Sequence, residues 1–266
     1  MSKGVWLLLS LLGGLMIPPA WSQAAAGRPD CSRPLSLALH DHGLLYSAET
    51  SEGIDKDFAE ELARRSGCRF HISLLPRARI WQLIESGALD FSLSGIATPA
   101  RDRFAAFAWY FSNKYYLLVR RDAQVARLED FERNGRLQLG VIRSFRYGES
   151  ANRFVDRLDA QQRLVLSSGL SALFDALVAG QIQGMIIEPF DYPTLQSERI
   201  RALTQTLEFG DPPVPHGLIM SRAALPEPER AKWHALVEGM RSDGAVRRIF
   251  EKYFRPELAR AMVEGR

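Results

Sequence analysis

The feature that most constrains the fold of this 266-residue chain is a regular alternation of strand-like and helix-like segments. Leu35–Leu39 alternates apolar positions as a strand does, and Phe70–Leu75 and Asp90–Leu93 are predicted to be two further strands. A helix is predicted over Asp55–Ser66, with Asp55 as its expected N-cap. Strands that alternate with helices predict a largely parallel α/β sheet.

The same alternation recurs in the second half of the chain. Strands are predicted at Leu137–Ile142, Arg163–Leu166 and Met185–Ile187, with helices between them. The apolar residues, the glycine and the strand entry of residues 80–89 recur in residues 173–182 at a constant offset. This recurrence predicts two similar α/β lobes in one chain, although a helix–glycine–strand pattern is common enough to arise by chance.

Two segments are expected to connect the lobes. Tyr115–Arg120 is an extended aromatic and aliphatic run, and the proline-rich Gly210–Gly217 cannot form a helix. Leu218–Met220 is then predicted to be a short strand that returns to the first lobe. The predicted fold is α/β, with a first lobe of residues 31–112 and 217–266 and a second of 117–215, joined by two hinge strands. Such a hinge permits closure around a ligand.

The first 24 residues are predicted to be a secretory signal peptide. Lys3 supplies a positive charge, residues 5–17 form an apolar run, and small residues follow two prolines. The apolar run is shorter than the roughly 20 residues that a membrane-spanning helix needs. We therefore expect export to a bacterial periplasm, with cleavage near Ser22–Ala26.

Charge, motifs and cysteines argue against several functions. The formal net charge is +3 and the basic residues are scattered, so no nucleic-acid partner is expected. No phosphate loop, zinc-binding His-Glu-x-x-His or Gly-x-Ser-x-Gly elbow occurs, so we expect no cofactor and no catalytic residue.

Cys31 and Cys68 precede adjacent predicted strands, which favours a disulfide in an exported protein; two unpaired thiols are the alternative. Two cysteines alone do not indicate a metal site.

Several short motifs occur in a specific order along the chain. They are Gly53–Asp57, Glu85–Asp90, Thr98–Arg101 followed by Phe111–Ser112, Tyr115–Arg120, His216–Ile219 and Asp243–Phe254. Each is weak alone, but their order and spacing resemble the family 3 extracellular solute-binding proteins, the polar amino-acid binders of ABC importers. The resemblance covers about Leu35 to Phe254. It implies a type II periplasmic-binding-protein fold, a small-molecule ligand, a membrane permease as partner and a monomeric protein.

The resemblance assigns candidate ligand contacts to both lobes. Arg101 matches the arginine that holds the ligand's α-carboxylate, since a guanidinium presents paired donors to a carboxylate. Glu188, at the end of a predicted strand, matches the acidic partner of the α-ammonium. Tyr46 matches an aromatic residue that walls the ligand, and Ser94 and His40 are further candidates. The alternative for each is an ordinary surface or core position.

The chain departs from the family at several predicted contacts. Ile96 replaces a Thr or Ser whose hydroxyl helps to bind the carboxylate, which argues against an ordinary α-amino acid. Arg77 stands where an aromatic contact is common, and if it faces the cleft it favours a ligand with an extra acidic group. In the second lobe, Ser144, Phe145 and Arg146 replace a Gly-Thr/Ser-Thr loop, although backbone N–H groups there could still receive a carboxylate.

Two other functions stay open. The scaffold also resembles that of periplasmic cyclohexadienyl dehydratases, in which a cleft carboxylate is the general acid, and Asp191 lies where that acid would be. Such an acid must be protonated near neutral pH, which requires burial. The other alternative is a binding subunit that signals to a membrane receptor instead of feeding an importer.

Overall fold

The structure, a computed structural model, describes residues 27–265 and contains two five-stranded β-sheets with helices packed on them. The predicted signal peptide of residues 1–24 therefore lies outside the described residues. Between residues 27 and 265, no helix is both long and apolar enough to cross a membrane. The predicted α/β fold with two lobes is confirmed, one lobe being built on each sheet.

The chain builds most of the first lobe, crosses to the second and returns. The first lobe begins with β1 (Leu35–Leu39), α1 (Ile54–Ser66), β2 (Phe70–Leu74), α2 (Arg77–Ser86), β3 (Phe91–Gly95) and β4 (Ala105–Asn113). The second lobe contains β5 (Tyr116–Arg120), α3 (Leu128–Arg133), β6 (Leu139–Ile142), α4 (Glu149–Ala160), β7 (Leu164–Ser167), α5 (Leu170–Val178), β8 (Gly184–Ile187), α6 (Tyr192–Leu195), α7 (Glu198–Leu203) and β9 (Thr204–Glu208). The returning segment contains β10 (Val214–Ser221), α8 (Glu227–Ser242), α9 (Ala245–Glu251) and α10 (Pro256–Glu264).

The two sheets have the same strand pattern, in the orders β2-β1-β3-β10-β4 and β7-β6-β8-β5-β9. In each sheet the first three strands are parallel, and the fourth runs antiparallel to both of its neighbours. That fourth strand is the one that enters from the other lobe. Because α2 precedes β3 as α5 precedes β8, the recurrence seen in the sequence is an architectural one.

The chain crosses between the lobes at two short connections, residues 114–115 and 209–213. The two predicted connecting segments are therefore largely strands: β5 is the fourth strand of its sheet, and β10 begins at Val214, earlier than the predicted Leu218. Pro215 is tolerated in β10 because pairing with β3 begins only at Gly217. At residue 215 the strand is flanked by β4 alone, an edge-like position that accepts a residue without an N–H.

The start of α1 differs from the prediction, because Gly53 and not Asp55 precedes its first turn. A Cβ on residue 53 would lie 2.4 Å from the carbonyl oxygen of Leu45, and its φ of 150° is one that glycine adopts readily. Asp55 is instead buried, where it accepts hydrogen bonds from Ser94 Oγ (2.6 Å) and Tyr110 Oη (3.2 Å). Asp55 therefore does not cap the helix, and its side chain links α1 to β3 and β4 through hydrogen bonds.

The predicted disulfide between Cys31 and Cys68 is present, with the two Cα atoms 4.8 Å apart. It fastens the segment before β1 to the segment before β2, whose strands are parallel neighbours. The two cysteines are 37 positions apart. A cross-link of that length stabilises a fold by about 3–4 kcal/mol, chiefly by restricting the unfolded chain.

One hydrophobic side chain from the second lobe is buried in the core of the first. Phe190 follows β8, yet its ring packs against Phe111 and Phe250 and is excluded from solvent. Its carbonyl oxygen accepts a hydrogen bond from the N–H of Leu44 (2.9 Å). Gly43 makes this approach possible, because a Cβ there would lie 2.3 Å from the same oxygen. Phe190 therefore anchors the lobes to each other.

Phe190→Ala should destabilise the first lobe although the residue follows a strand of the second. We expect the free energy of unfolding to fall by about 3–5 kcal/mol, since removal of a buried ring leaves a cavity. Urea unfolding followed by circular dichroism measures this change. Tyr192→Ala, at a position that is 54% exposed, is the control and should change the stability by less than about 0.5 kcal/mol. Equal effects of the two variants would contradict the anchoring role of Phe190.

Candidate functional site

A cavity lies between the lobes, at the carboxyl ends of strands from both sheets. The residues that line it come from the end of β3, from the segments after β1, β3, β6 and β8, from α2, from the first crossover and from β10. Ligands of open α/β sheets bind at this edge, where the ends of the strands leave polar backbone groups and loop side chains free to converge.

Arg101 bridges the two lobes from a short 3₁₀ turn after β3. Thr98 shapes the turn, because its Oγ accepts a hydrogen bond from the Arg101 N–H (3.2 Å). The guanidinium lies 4.0 Å from the ring centre of Trp81 and donates to the carbonyl oxygens of Ile96 (2.9 Å) in its own lobe and Ser144 (2.7 Å) in the other. Arg101 is 8% exposed, and among residues 27–265 no carboxylate forms an ion pair with it.

Arg77, the first residue of α2, is a second buried cation at the cavity. It is 5% exposed, donates to the carbonyl oxygen of Leu93 (3.1 Å) and lies 5.6 Å from the ring centre of Phe145. Burial lowers the pKa of Arg77, and the negative charge of Asp55 is the strongest influence opposing that shift. Within the described part of the chain, no carboxylate lies at ion-pair distance from this guanidinium either.

The electrostatic surroundings of Arg101 are dominated by positive charge. Burial lowers the pKa of Arg101 to about 9, and the charges of Arg77 and Arg146 add to the effect. Arg146 stands at the rim with 47% of its side chain exposed, 3.8 Å from Asp156. A depressed arginine pKa means that the cation lacks compensating negative charge nearby. An anion bound in the cavity would therefore stabilise the charged form of Arg101.

Glu188 is the one carboxylate that lines the cavity in the described chain. It follows β8 and is 4% exposed. One of its oxygens lies 2.7 Å from His42 Nε2, and the other accepts a hydrogen bond from the side-chain amide of Asn113. His42 and Asn113 belong to the first lobe, so this carboxylate joins the two lobes.

The contact between Glu188 and His42 is an ion pair. Burial disfavours both charges, but the hydrogen bond and the mutual attraction outweigh it, so the pKa of His42 is raised and the pKa of Glu188 is lowered. Asp191 lies 3.6 Å from the same ring nitrogen and accepts a hydrogen bond from the Glu188 N–H (3.0 Å). Burial is the main reason that the pKa of Asp191 is raised, to about 7. In residues 27–265, no group of three or more His, Cys, Asp or Glu side chains is arranged to hold a metal ion.

Phe145 of the second lobe packs on two histidines of the first. Its ring centre lies 5.5 Å from that of His40 and 5.2 Å from that of His42. Burial is the largest cause that lowers the pKa of His40 to about 2, and likewise the pKa of His216 to about 4. His216 Nε2 lies 2.8 Å from Tyr115 Oη. Of these three histidines, His42 is therefore the one whose pKa is raised.

Most residues predicted for the site reach this one cavity. Those that line it are Arg77, Ser94, Ile96, Arg101, Phe145, Arg146 and Glu188. The hydroxyl of Ser94 is already bonded to Asp55 (2.6 Å) and to Tyr110 Oη (3.0 Å). Ser144 takes part through its carbonyl oxygen, which accepts from Arg101.

Tyr46 and His40 are placed beside the cavity but do not line it. Tyr46 forms an isolated β-bridge with His42 and is partly buried against the first-lobe core. The preceding residue, Leu45, belongs to that core and also lines the cavity. His40 packs on Phe145, which does line the cavity. The roles of all these residues in ligand binding stay predictions.

Four lining side chains were not found by sequence reasoning, namely Leu45, Trp81, Tyr115 and His216. Trp81 had a usable signal, because it lies four residues after Arg77 on the same face of α2. Tyr115 lies in the first crossover and His216 in β10, and no local pattern relates them.

The fold and the cavity define a two-lobed binding protein of the type II periplasmic class. Residues 42–256 match the profile of the bacterial extracellular solute-binding proteins, family 3, and the chain belongs to this family. The predicted membership is confirmed, and an extracellular family agrees with the predicted export. No curated protein gave a significant sequence match.

Several solved structures share the fold. The arginine-, lysine-, histidine-binding protein ArtJ from Geobacillus stearothermophilus has a TM-score of 0.69 at 16% identity, over 84% of this chain and 95% of that one. A histidine kinase sensor domain with similarity to periplasmic binding proteins has a TM-score of 0.69 at 15% identity, over 84% and 96%. The ancestral amino acid-binding protein AncCDT-1, a precursor of cyclohexadienyl dehydratase, has a TM-score of 0.68 at 18% identity, over 84% and 95%. At these identities the likeness shows the fold alone.

The pair of His42 and Glu188 should make stability depend on pH in a defined direction. Because folding raises the pKa of His42, its contribution is complete below the unfolded pKa of about 6.5 and is lost as the pH rises through the folded pKa. His42→Gln should therefore lower the free energy of unfolding by about 3–5 kcal/mol near pH 6. The loss should be smaller at alkaline pH.

Denaturant unfolding of both proteins, near pH 6 and at alkaline pH, measures this difference. His234→Gln, at an exposed position of α8, is the control and should behave as the wild type at each pH. If His42→Gln lowers the free energy of unfolding by the same amount at both pH values, the assignment of a charged His42 is contradicted.

Proposed function

We propose that this protein captures a small carboxylate-bearing solute of the amino-acid type in the bacterial periplasm and delivers it to an ABC importer. The observation that carries the proposal is the buried guanidinium of Arg101, which contacts both lobes and has no carboxylate partner in the described chain. Periplasmic location requires the N-terminal segment to act as a cleaved signal peptide, as its sequence predicts.

A ligand carboxylate would supply the charge that Arg101 lacks. Burial of a guanidinium without a counter-ion costs free energy, and carbonyl oxygens satisfy its hydrogen bonds without neutralising it. A carboxylate offers two negatively charged acceptors in the plane of the guanidinium, which makes the contact both stronger and more specific. Arg101 therefore favours a solute with a free acid group over a neutral one.

Binding at this position would couple the ligand to closure of the lobes. Arg101 belongs to the first lobe, whereas Phe145 and Arg146 reach the same cavity from the second. A ligand that contacts both sides binds the closed arrangement more tightly and shifts the balance by that difference in affinity. The closed monomer would then dock on the permease. Co-purification with solubilised membranes would distinguish a permease from a signalling receptor as the partner.

A dehydratase of the cyclohexadienyl type is the second candidate, favoured by Asp191. Its buried carboxyl has a pKa raised to about 7, which suits a general acid near neutral pH. The carboxyl does not line the cavity, however, and it accepts a hydrogen bond from the Glu188 N–H. A general acid must lie within hydrogen-bond reach of the atom that it protonates. A binding protein is therefore favoured over a dehydratase. Measured turnover of prephenate-like acids would favour the dehydratase instead.

Arg101→Ala should abolish ligand binding and leave the fold intact. A thermal-shift screen of amino acids, polyamines, dicarboxylates and prephenate-like acids identifies the ligand, because a ligand of the folded state raises the melting temperature. Calorimetry should then give at least about 30-fold weaker binding by the variant, since a buried ionic contact is lost.

Arg103→Ala is the matched control, because Arg103 is exposed in the same turn. It should bind the ligand as the wild type does. Wild-type affinity in a folded Arg101→Ala protein would contradict the proposed site.

A further inference from the structure

The residues around the cavity carry more positive than negative charge. Arg77, Arg101 and Arg146 line it together with a single carboxylate in the described chain, that of Glu188. That carboxylate is already matched by the cation of His42. One ligand carboxylate would therefore leave a surplus of positive charge in the cavity.

Arg77 is the feature that a single carboxylate site at Arg101 does not explain. A guanidinium has five N–H donors, and in residues 27–265 the carbonyl oxygen of Leu93 is its one hydrogen-bond acceptor (3.1 Å). Asp55 attracts the guanidinium from a distance, but its carboxylate is bonded to Ser94 and Tyr110 and forms no ion pair with Arg77. The remaining donors of Arg77 are available to a second anion.

Arg77 and Arg101 approach the cavity from neighbouring positions. Arg77 lies four residues before Trp81 in α2, which is about 6 Å along a helix axis. The guanidinium of Arg101 lies 4.0 Å from the ring centre of Trp81. Apart from burial, the charge of Arg77 is the largest influence that lowers the pKa of Arg101. Because both arginines line the same cavity, a compact solute that enters it would lie within reach of both cations.

The carboxylate of Glu188 is largely occupied by other hydrogen-bond donors, so it is less available to a ligand ammonium group than the guanidinium of Arg77 is to a ligand acid group. Both of its oxygens have first-lobe donors, His42 Nε2 at 2.7 Å and the amide of Asn113. A carboxylate oxygen can accept a second hydrogen bond, so an ammonium group is tolerated. It is not needed to balance the charge of the cavity, because the surplus there is cationic.

We propose that the solute carries two acidic groups, one held by Arg101 and one by Arg77. This inference rests on the proposed function and narrows it to compact diacids, which are either acidic amino acids or dicarboxylates without an ammonium group. Phe145 of the second lobe lies over Arg77 and would shield the second ion pair from water. Cationic amino acids should not bind, because the guanidinium groups repel a further positive charge.

Pairs of acids and amides test the second acidic group directly. Glutamate and glutamine, or aspartate and asparagine, differ only in the group that Arg77 would bind. Calorimetry should give at least about 30-fold tighter binding of the acid than of its amide by the wild-type protein. Arg77→Gln should reduce this preference to a few-fold at most. Arg79→Gln, at an exposed position of the same helix, should leave the preference unchanged.

Succinate and glutarate separate the two sources of diacid, because they lack the ammonium group. Equal affinities for glutarate and glutamate assign dicarboxylates, whereas tighter binding of glutamate assigns acidic amino acids; both results support the second acidic group. Equal affinities for glutamine and glutamate, both lost in Arg101→Ala, would overturn this inference and leave the proposed function standing. Failure of every amino acid and carboxylate to bind would overturn both.

The comparison of acid with amide in the wild-type protein does not depend on whether Arg77→Gln folds. Arg77→Lys provides a second variant that keeps the positive charge and loses the planar fork of donors. It should retain a preference for the acid at reduced affinity. A folded Arg77→Gln protein that keeps the full wild-type preference would overturn the assignment of the second acid to Arg77.

Discussion

The buried ion pair between His42 and Glu188 is the contact on which the arrangement of the two lobes depends. It joins the segment after β1 to the segment after β8, and Asn113 adds a hydrogen bond from the end of β4. Phe190, two residues beyond Glu188, is buried in the first-lobe core. Polar and apolar contacts therefore act together to hold the two lobes to each other near the ends of their strands. The cavity exists because these contacts bring the loops of both lobes to one place.

A surplus of buried positive charge gives that cavity its character. Arg77 and Arg101 are each less than a tenth exposed, and in residues 27–265 both donate to carbonyl oxygens instead of carboxylates. Burial of an unpaired cation opposes folding, and perturbed ionisable groups of this kind cluster at functional sites. An anion that entered the cavity, as proposed above, would remove the imbalance and would stabilise the closed arrangement of the lobes.

The fold could be predicted from the sequence more fully than the site. The α/β alternation and the disulfide depend on periodicity and on neighbours in the chain, and both were predicted. The family resemblance predicts a ligand contact at Tyr46, whereas the side chain of this loop that lines the cavity is that of the neighbouring Leu45. Asp55 resembled a helix cap, but the tight approach of Gly53 to Leu45 sets the start of the helix and leaves Asp55 buried.

The sequence by itself determined the class of protein, because strand and helix periodicities and the order of short motifs are local properties. Only the tertiary structure decided which side chains meet in the cleft. His42 and Glu188 are 146 positions apart, and Arg101 and Ser144 are 43 positions apart, so no local pattern pairs them. The tertiary structure also decided charge. His40 and His42 follow the same strand, yet burial lowers the pKa of the first, while the partnership with Glu188 raises the pKa of the second.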